Sequence, residues 1–201
     1  MQRFPLEGLK ISLVYPPYGA IKNEPGIKAV KENYGVFPSL SLLYVAGCLE
    51  QHGVEVQFLD VNAEGMTLEE TIVKLKEFGP DFVGYTITTY LFYQTLAWVK
   101  AIREAVDVPT IVGGVHMGMY PVESMTHGCL DYGVTGEAEM TLPELLHRVT
   151  TKKSLEGLKG LVYKKDDGEV VYNGDAGLLA NVSEASWPAL HLVDNSLYYS
   201  F

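Results

Sequence analysis

VPTIVGGVHMGMYPVESMTHGCLDYGVTGEAEMTLPELL, Val108 to Leu146, holds two short apolar runs that each stop at a glycine turn. Thr110-Ile111-Val112 ends at Gly113-Gly114, and Leu130 to Val134 ends at Thr135-Gly136-Glu137. Runs of this length are buried strands, and glycines at their ends let backbone approach a ligand closely. The stretch therefore predicts two strands of one sheet whose ends form part of a binding rim.

Working outward toward the N-terminus, strands and helices alternate. Leu9 to Tyr15 is a β-rich apolar run closed by Pro16-Pro17, which cannot extend a ladder. Tyr18 to Phe37 is mixed in character and long for a connection, as functional loops often are. Leu40, Leu43, Tyr44, Gly47 and Cys48 recur at helical spacing between Ser39 and Gly53. Val54 to Val61 is the second strand. Thr67 to Phe78 is a helix opened by a capping box, with Thr67 at the N-cap and Glu70 at N3, and closed by Gly79-Pro80. Asp81 to Tyr85 is the third strand, and a helix over roughly Leu91 to Ala105 leads back to Val108. Repeated strand–helix–strand crossovers require a parallel sheet covered on both faces. The expected fold is α/β, a doubly wound Rossmann- or flavodoxin-like sheet of five parallel strands. Residues 1–150 form that unit; residues 151–201 add a β-hairpin (Leu158 to Tyr163, then Glu169 to Tyr172) and an extended linker with Trp187-Pro188 and Tyr198-Tyr199.

Composition bounds the function. The chain has 201 residues, 47% hydrophobic, enough for a full core, and a formal net charge of −10 without a basic run, which argues against nucleic acid and anionic membranes as partners. No stretch reaches the ~18 apolar residues of a membrane span, and the N-terminus lacks a signal-peptide core. Two isolated cysteines, Cys48 and Cys129, make no disulfide framework or metal cluster, so a reducing cytoplasm is expected.

Ligands of doubly wound sheets bind outside the carboxyl ends of the strands. That rule gathers Pro16-Pro17-Tyr18, Asp60-Val61-Asn62, Thr86 to Tyr90, Gly113-Gly114-Val115-His116 and Thr135 to Glu139 on one rim. A dinucleotide is disfavoured because PPYGAIKNEPG replaces the glycine fingerprint after the first strand. A flavodoxin phosphate loop would be rich in Ser and Thr there. A response regulator needs an acceptor Asp at the end of the third strand, whereas Asp81 opens it. Each rim residue also has a plain structural reading. Gly113-Gly114 can be a simple strand-to-helix turn, Thr86, Thr88 and Thr89 can cap a helix, and Glu137 and Glu139 can be acids favoured by a helix N-terminus.

Taken together, PPY, PSLSLLYVAGCLEQHGVEVQFLD, DFVGYTITT, IVGGVHM and DYGVTGEAEMTLPELL resemble the N-terminal cobalamin-binding domain of B12-dependent radical S-adenosylmethionine enzymes, a family of methyltransferases and the anaerobic magnesium-protoporphyrin monomethyl ester cyclase. The resemblance spans about residues 9 to 150. It implies a cobalamin site formed by Pro17, Tyr18, Thr86, Thr88, Thr89, Gly113, Gly114, Val115, His116, Gly136, Glu137 and Glu139. The threonines would serve the nucleotide loop and the two glutamates would accept from ribose hydroxyls or corrin amides. Two departures shape the expectation. No Asp-x-His-x-x-Gly follows Pro16-Pro17, so the cofactor would be held base-off without a histidine on the lower cobalt face. No Cys-x-x-x-Cys-x-x-Cys occurs, so the [4Fe-4S] cluster and S-adenosylmethionine would belong to a C-terminal radical barrel beyond the chain, its natural partner. The chain alone is then a non-catalytic part of a longer enzyme. The alternative is a small-molecule sensor or docking domain on the same fold.

Overall fold

In the computed structural model, residues 3–17, 36–179, 181 and 185–199 are described. Most of the loop expected over Tyr18 to Phe37, including Tyr18 itself, lies outside them. Strand β1 (Lys10–Tyr15) sits inside the sheet, with β2 (Glu55–Asp60) on one side and β3 (Phe82–Thr86), β4 (Thr110–Gly113) and β5 (Tyr132–Val134) following on the other. All four pairings among these strands are parallel. The chain leaves β1 toward β2 and later returns to its other side as β3, the switch point at which such sheets bind ligands.

The sheet does not end at five strands. β6 (Leu161–Lys164) pairs antiparallel with β5, and β7 (Val170–Tyr172) with β6, giving one sheet in the order β2-β1-β3-β4-β5-β6-β7. The hairpin is thus as the turn residues predicted. Its alternate apolar side chains, Leu161 and Tyr163 on one face and Val162 on the other, bury into both cores and carry the sheet onward.

Helices cover both faces. α1 (Leu40–Gln51) and α6 (Ala138–Thr150) pack on the face that presents Ile11, Leu13, Phe82, Ile111 and Val134. α2 (Leu68–Phe78) and α3 (Phe92–Val106) cover Val14, Val83, Tyr85 and Val112 on the other. The capping box of α2 forms as its sequence requires: the Thr67 hydroxyl accepts from the Glu70 amide at 3.2 Å and the Glu70 carboxylate accepts from the Thr67 amide at 2.8 Å. Gly79, at φ 66°, closes the helix in the left-handed region. Two five-residue helices that periodicity did not reveal, α4 (Val115–Met119) and α5 (Pro121–Met125), bridge β4 and β5.

α1 departs from a simple one-sided helix. Leu42, Leu43, Val45, Ala46, Gly47, Cys48 and Leu49 are all buried, while Leu40 and Tyr44, expected on the inner face, are 52% and 37% exposed. The cause is a third layer. The tail from Ser186 crosses the outside of α1 at Gly47, whose missing side chain makes room for the Trp187 carbonyl, and Ala189 N–H donates to Leu43 O at 2.9 Å. Beyond α1 the tail reaches the edge strand, where the Tyr198 hydroxyl donates to the buried Asp60 at 3.0 Å. Among the described residues, no helix is long and apolar enough to cross a membrane.

Candidate functional site

Between the carboxyl-terminal halves of β1, β3, β4 and β5 and the first turns of α1 and α6 lies a slot of about 290 Å³. Its floor is aliphatic, built from Leu13, Leu42, Val45, Ile111, Val134 and Leu142. The sheet contributes Gly84 at its centre, where a Cβ would stand 2.7 Å from the Leu13 side chain. The slot exists because the strands supply glycine where they face α1 and α6 near the rim: Gly84 in β3, Gly113 at the end of β4 and Gly136 after β5.

The two glycines read together in the sequence have different jobs. Gly114 has φ 97°, and a Cβ there would meet Ile87 O and the Thr86 hydroxyl at 2.7 Å, so it is required by the backbone itself. A Cβ on Gly113 would meet only Val134 O, at 3.7 Å, an ordinary contact. Gly113 keeps the slot open and Gly114 shapes the turn.

Of the residues singled out by sequence, Thr86, Gly113, Gly114, Gly136, Glu137 and Glu139 come together around this slot. Pro17, Thr88, Thr89, Val115 and His116 do not line it. Pro17 lies at the end of β1, its carbonyl accepting from Gln94 Nε2 at 3.2 Å. Thr88 and Val115 are exposed on the rim. Thr89 and His116 face each other, Nδ1 to hydroxyl 3.2 Å, and the imidazole is 7% exposed with its ring 4.0 Å from that of Phe92. Burial holds His116 below the usual histidine range, so it is a neutral packing group in this structure. Sequence reasoning missed the α1 wall, Ser41, Leu42, Tyr44 and Val45, together with Leu13 and Gly84. Gly84 was detectable as a glycine inside an otherwise apolar strand.

Glu139 is a half-buried acid among the residues that line the slot. It occupies the first turn of α6, and burial, with Glu137 adding to it, raises its carboxyl above the ordinary carboxylate range. Its backbone is anchored from α1. Pro143 inside α6 has no N–H to offer the carbonyl four residues earlier, and the Cys48 thiol donates to Glu139 O at 3.7 Å instead. Burial pushes that thiol up to about 11, so it stays a protonated donor.

A mostly apolar slot with a glycine lip and a few placed polar groups has the make-up of a site for an organic ligand. A sequence model of the B12 binding domain matches residues 28–146, well over half of the chain. The chain belongs to the B12-binding domain family. This B12-binding domain is 35% identical over 195 residues to an uncharacterized methyltransferase of Pyrococcus horikoshii, a match covering 94% of the chain and 40% of that protein. Among solved structures, it resembles the cobalamin-dependent S-adenosylmethionine radical enzyme OxsB, solved with aqua-cobalamin and S-adenosylmethionine bound, with a TM-score of 0.70 at 23% identity over 92% of this chain and 24% of that one. It also resembles the radical S-adenosylmethionine methyltransferase TsrM from Kitasatospora setae, solved with cobalamin and a [4Fe-4S] cluster bound, with a TM-score of 0.67 at 21% identity over 92% and 34% of the two chains. The domain thus spans less than half the length of each of these proteins.

Proposed function

We propose that this domain holds cobalamin base-off, with the nucleotide tail in the slot between the sheet and α1/α6 and the corrin over the rim, as the cofactor-carrying part of a B12-dependent radical S-adenosylmethionine enzyme. The observation that carries the reading is the slot itself. It is aliphatic on its floor, opens at the carboxyl ends of β3, β4 and β5 beside the switch point, and is lined by six of the residues that the family resemblance implied. Leu13, Leu42, Val45, Ile111, Val134 and Leu142 would enclose the aromatic base. Gly113 and Gly136 would let the linker pass the lip, and the Thr86 hydroxyl and Glu137 would meet its phosphate and sugar from the rim. Pro17, Tyr18, Thr88, Thr89 and Val115 would belong to the surface under or beside the corrin ring, with the buried His116 supporting Thr89 from behind. Bound cobalamin would supply a cobalt centre able to carry a methyl group or a single electron.

In the same reading, residues 1–150 are the cofactor-binding unit and residues 151–201 lead from it toward a radical barrel that binds the [4Fe-4S] cluster and S-adenosylmethionine. The share of each relative that the chain covers supports this, with room left in each for a further domain. The methyltransferase relative favours methyl transfer as the reaction of the whole enzyme. A reducing cytoplasm fits the two free cysteines.

The test is retention. Protein mixed with hydroxocobalamin and passed through a desalting column should carry corrinoid absorbance in near-stoichiometric amount. Colourless protein at micromolar concentrations of both components would refute the reading.

A further inference from the structure

The slot is walled on one side by a helix whose start is poorly secured from within. α1 supplies Ser41, Leu42, Tyr44 and Val45 to the slot, yet its N-cap Ser39 makes no side-chain bond to the first turn and no acid sits there. The bonds that secure it come from the tail. Ala189 N–H donates to Leu43 O at 2.9 Å, between the slot-lining Leu42 and Tyr44, and Tyr199 N–H donates to Val36 O at 3.1 Å, just ahead of the helix. Gly47, on the outer side of α1, leaves room for the Trp187 carbonyl.

The same segment also reaches the sheet side of the slot. The Tyr198 hydroxyl donates to Oδ2 of the buried Asp60 at 3.0 Å, and Asp60 Oδ1 accepts from the backbone amides of Asn62 and Ala63 at 3.1 and 3.0 Å. Asn62 Nδ2 in turn donates to Pro16 O at 2.8 Å. Pro16 directly follows β1, the strand whose Leu13 lies in the slot floor. A chain of hydrogen bonds thus runs from the tail through the end of β2 to the exit of β1, at the switch point.

One extended segment therefore grips both the helix wall and the strand exit, and it acts on the slot from outside, through α1 and β1. A ligand that fits the slot binds tightest when α1 stands at this distance from the sheet, and by thermodynamic reciprocity it then strengthens the docking of the tail. Resting on the reading of the slot as the cofactor site, we propose that residues 186–199 set the position of α1 and of the β1 exit, so that Tyr198 and Asp60 are positioning residues for corrinoid binding, and tail docking and cofactor binding reinforce each other. An occupied slot is then felt on the outer surface of the domain, where Trp187 is 86% exposed in the strap.

Hydrogen–deuterium exchange and equilibrium dialysis with hydroxocobalamin test this on the unmodified protein and on Tyr198→Phe and Gly47→Leu. Phe keeps the ring and removes the donor to Asp60, and Leu pushes the Trp187 carbonyl off α1 from the side away from the slot. Saturating hydroxocobalamin should slow exchange at the Ala189 and Tyr199 amides of the unmodified protein about tenfold, the size of a typical coupling between sites. Gly47→Leu should bind cobalamin about tenfold more weakly and Tyr198→Phe about threefold, in the order in which Ala189 exchange quickens. Unchanged affinity in Gly47→Leu while Ala189 exchange rises would overturn the proposal, as would tail exchange in the unmodified protein that ignores saturating cofactor. If Gly47→Leu loses protection in β1 and β3 as well, Tyr198→Phe and the cofactor-dependent exchange of the unmodified protein decide. An unmodified protein that binds no cobalamin would instead overturn the reading of the slot itself.

Discussion

At the residue scale, small side chains decide more than large ones. Gly113 and Gly114 adjoin in sequence, yet one guards an open space and the other a backbone conformation. Their substitutions therefore separate binding from stability. Gly113→Leu should leave the melting temperature within a few degrees of the unmodified protein while abolishing corrinoid retention on a desalting column, since its side chain has the slot to fill. Gly114→Ala should destabilise by about 1–3 kcal/mol in a urea titration, through a positive φ and a clash with the Ile87 backbone, whether or not cofactor is present. Retention unchanged in Gly113→Leu would remove β4 from the site. The adjacent pair was legible as a ligand-facing turn, but its division of labour depends on β3 and β5, which come from elsewhere in the chain. His116 illustrates the same limit. Its position after the turn suggested a rim group, and only the packing of Phe92 beneath it makes it a buried neutral ring.

At the scale of elements, α1 is clamped between the sheet and the tail. Its apolar spacing predicted one inner face through Leu40, Leu43, Tyr44, Gly47 and Cys48; the structure buries Leu42, Val45, Ala46 and Leu49 as well and leaves Leu40 and Tyr44 exposed, and residues 186–189 lie across the helix at Gly47. The clasp combines the Ala189–Leu43 hydrogen bond with a contact between His191 and Glu50 at 2.8 Å. Gly47→Leu should displace this strap, because the obstacle is the Trp187 backbone carbonyl rather than a side chain that can swing away. The expected result is faster amide exchange at Ala189 and new proteolytic cleavage near Trp187, with protection in β1 and β3 unchanged. Loss of protection throughout the sheet would mean that the tail is integral to the core. The scattered prolines and aromatics of this segment predicted an extended stretch without regular periodicity. Its resting place was not legible, since it contacts α1 across more than 140 positions of sequence.

For the whole molecule, stability should respond to acid through buried histidines. His52 is 5% exposed, accepts from the Phe4 amide at 2.9 Å through Nδ1, and is held below the usual histidine range by burial. His116 is shifted the same way. A base whose folded-state pKa is depressed contributes stability that is present above about 6.5 and is lost as pH falls through the folded value. Asp60 and Glu139, raised by burial, act oppositely: their contribution is present below about 4 and lost as pH rises through their folded values. His52 should therefore contribute a fall in melting temperature from pH 7 toward 5.5, so that His52→Gln loses less melting temperature over that range than the unmodified protein; an identical pH profile in the variant would exclude His52 as a source.

By itself, the sequence determined the strand–helix alternation, the five parallel strands, the hairpin, the capping box at Thr67 and the family, because each rests on local spacing, turn chemistry or an ordered set of motifs. Tertiary structure alone decided that the hairpin extends the sheet to seven strands, that the tail straps α1, and that the slot's far wall comes from Ser41 to Val45. Those features depend on which distant surfaces meet. Hydrophobic periodicity says that a face must be buried, whereas only packing in three dimensions says against what, and how much space is left between.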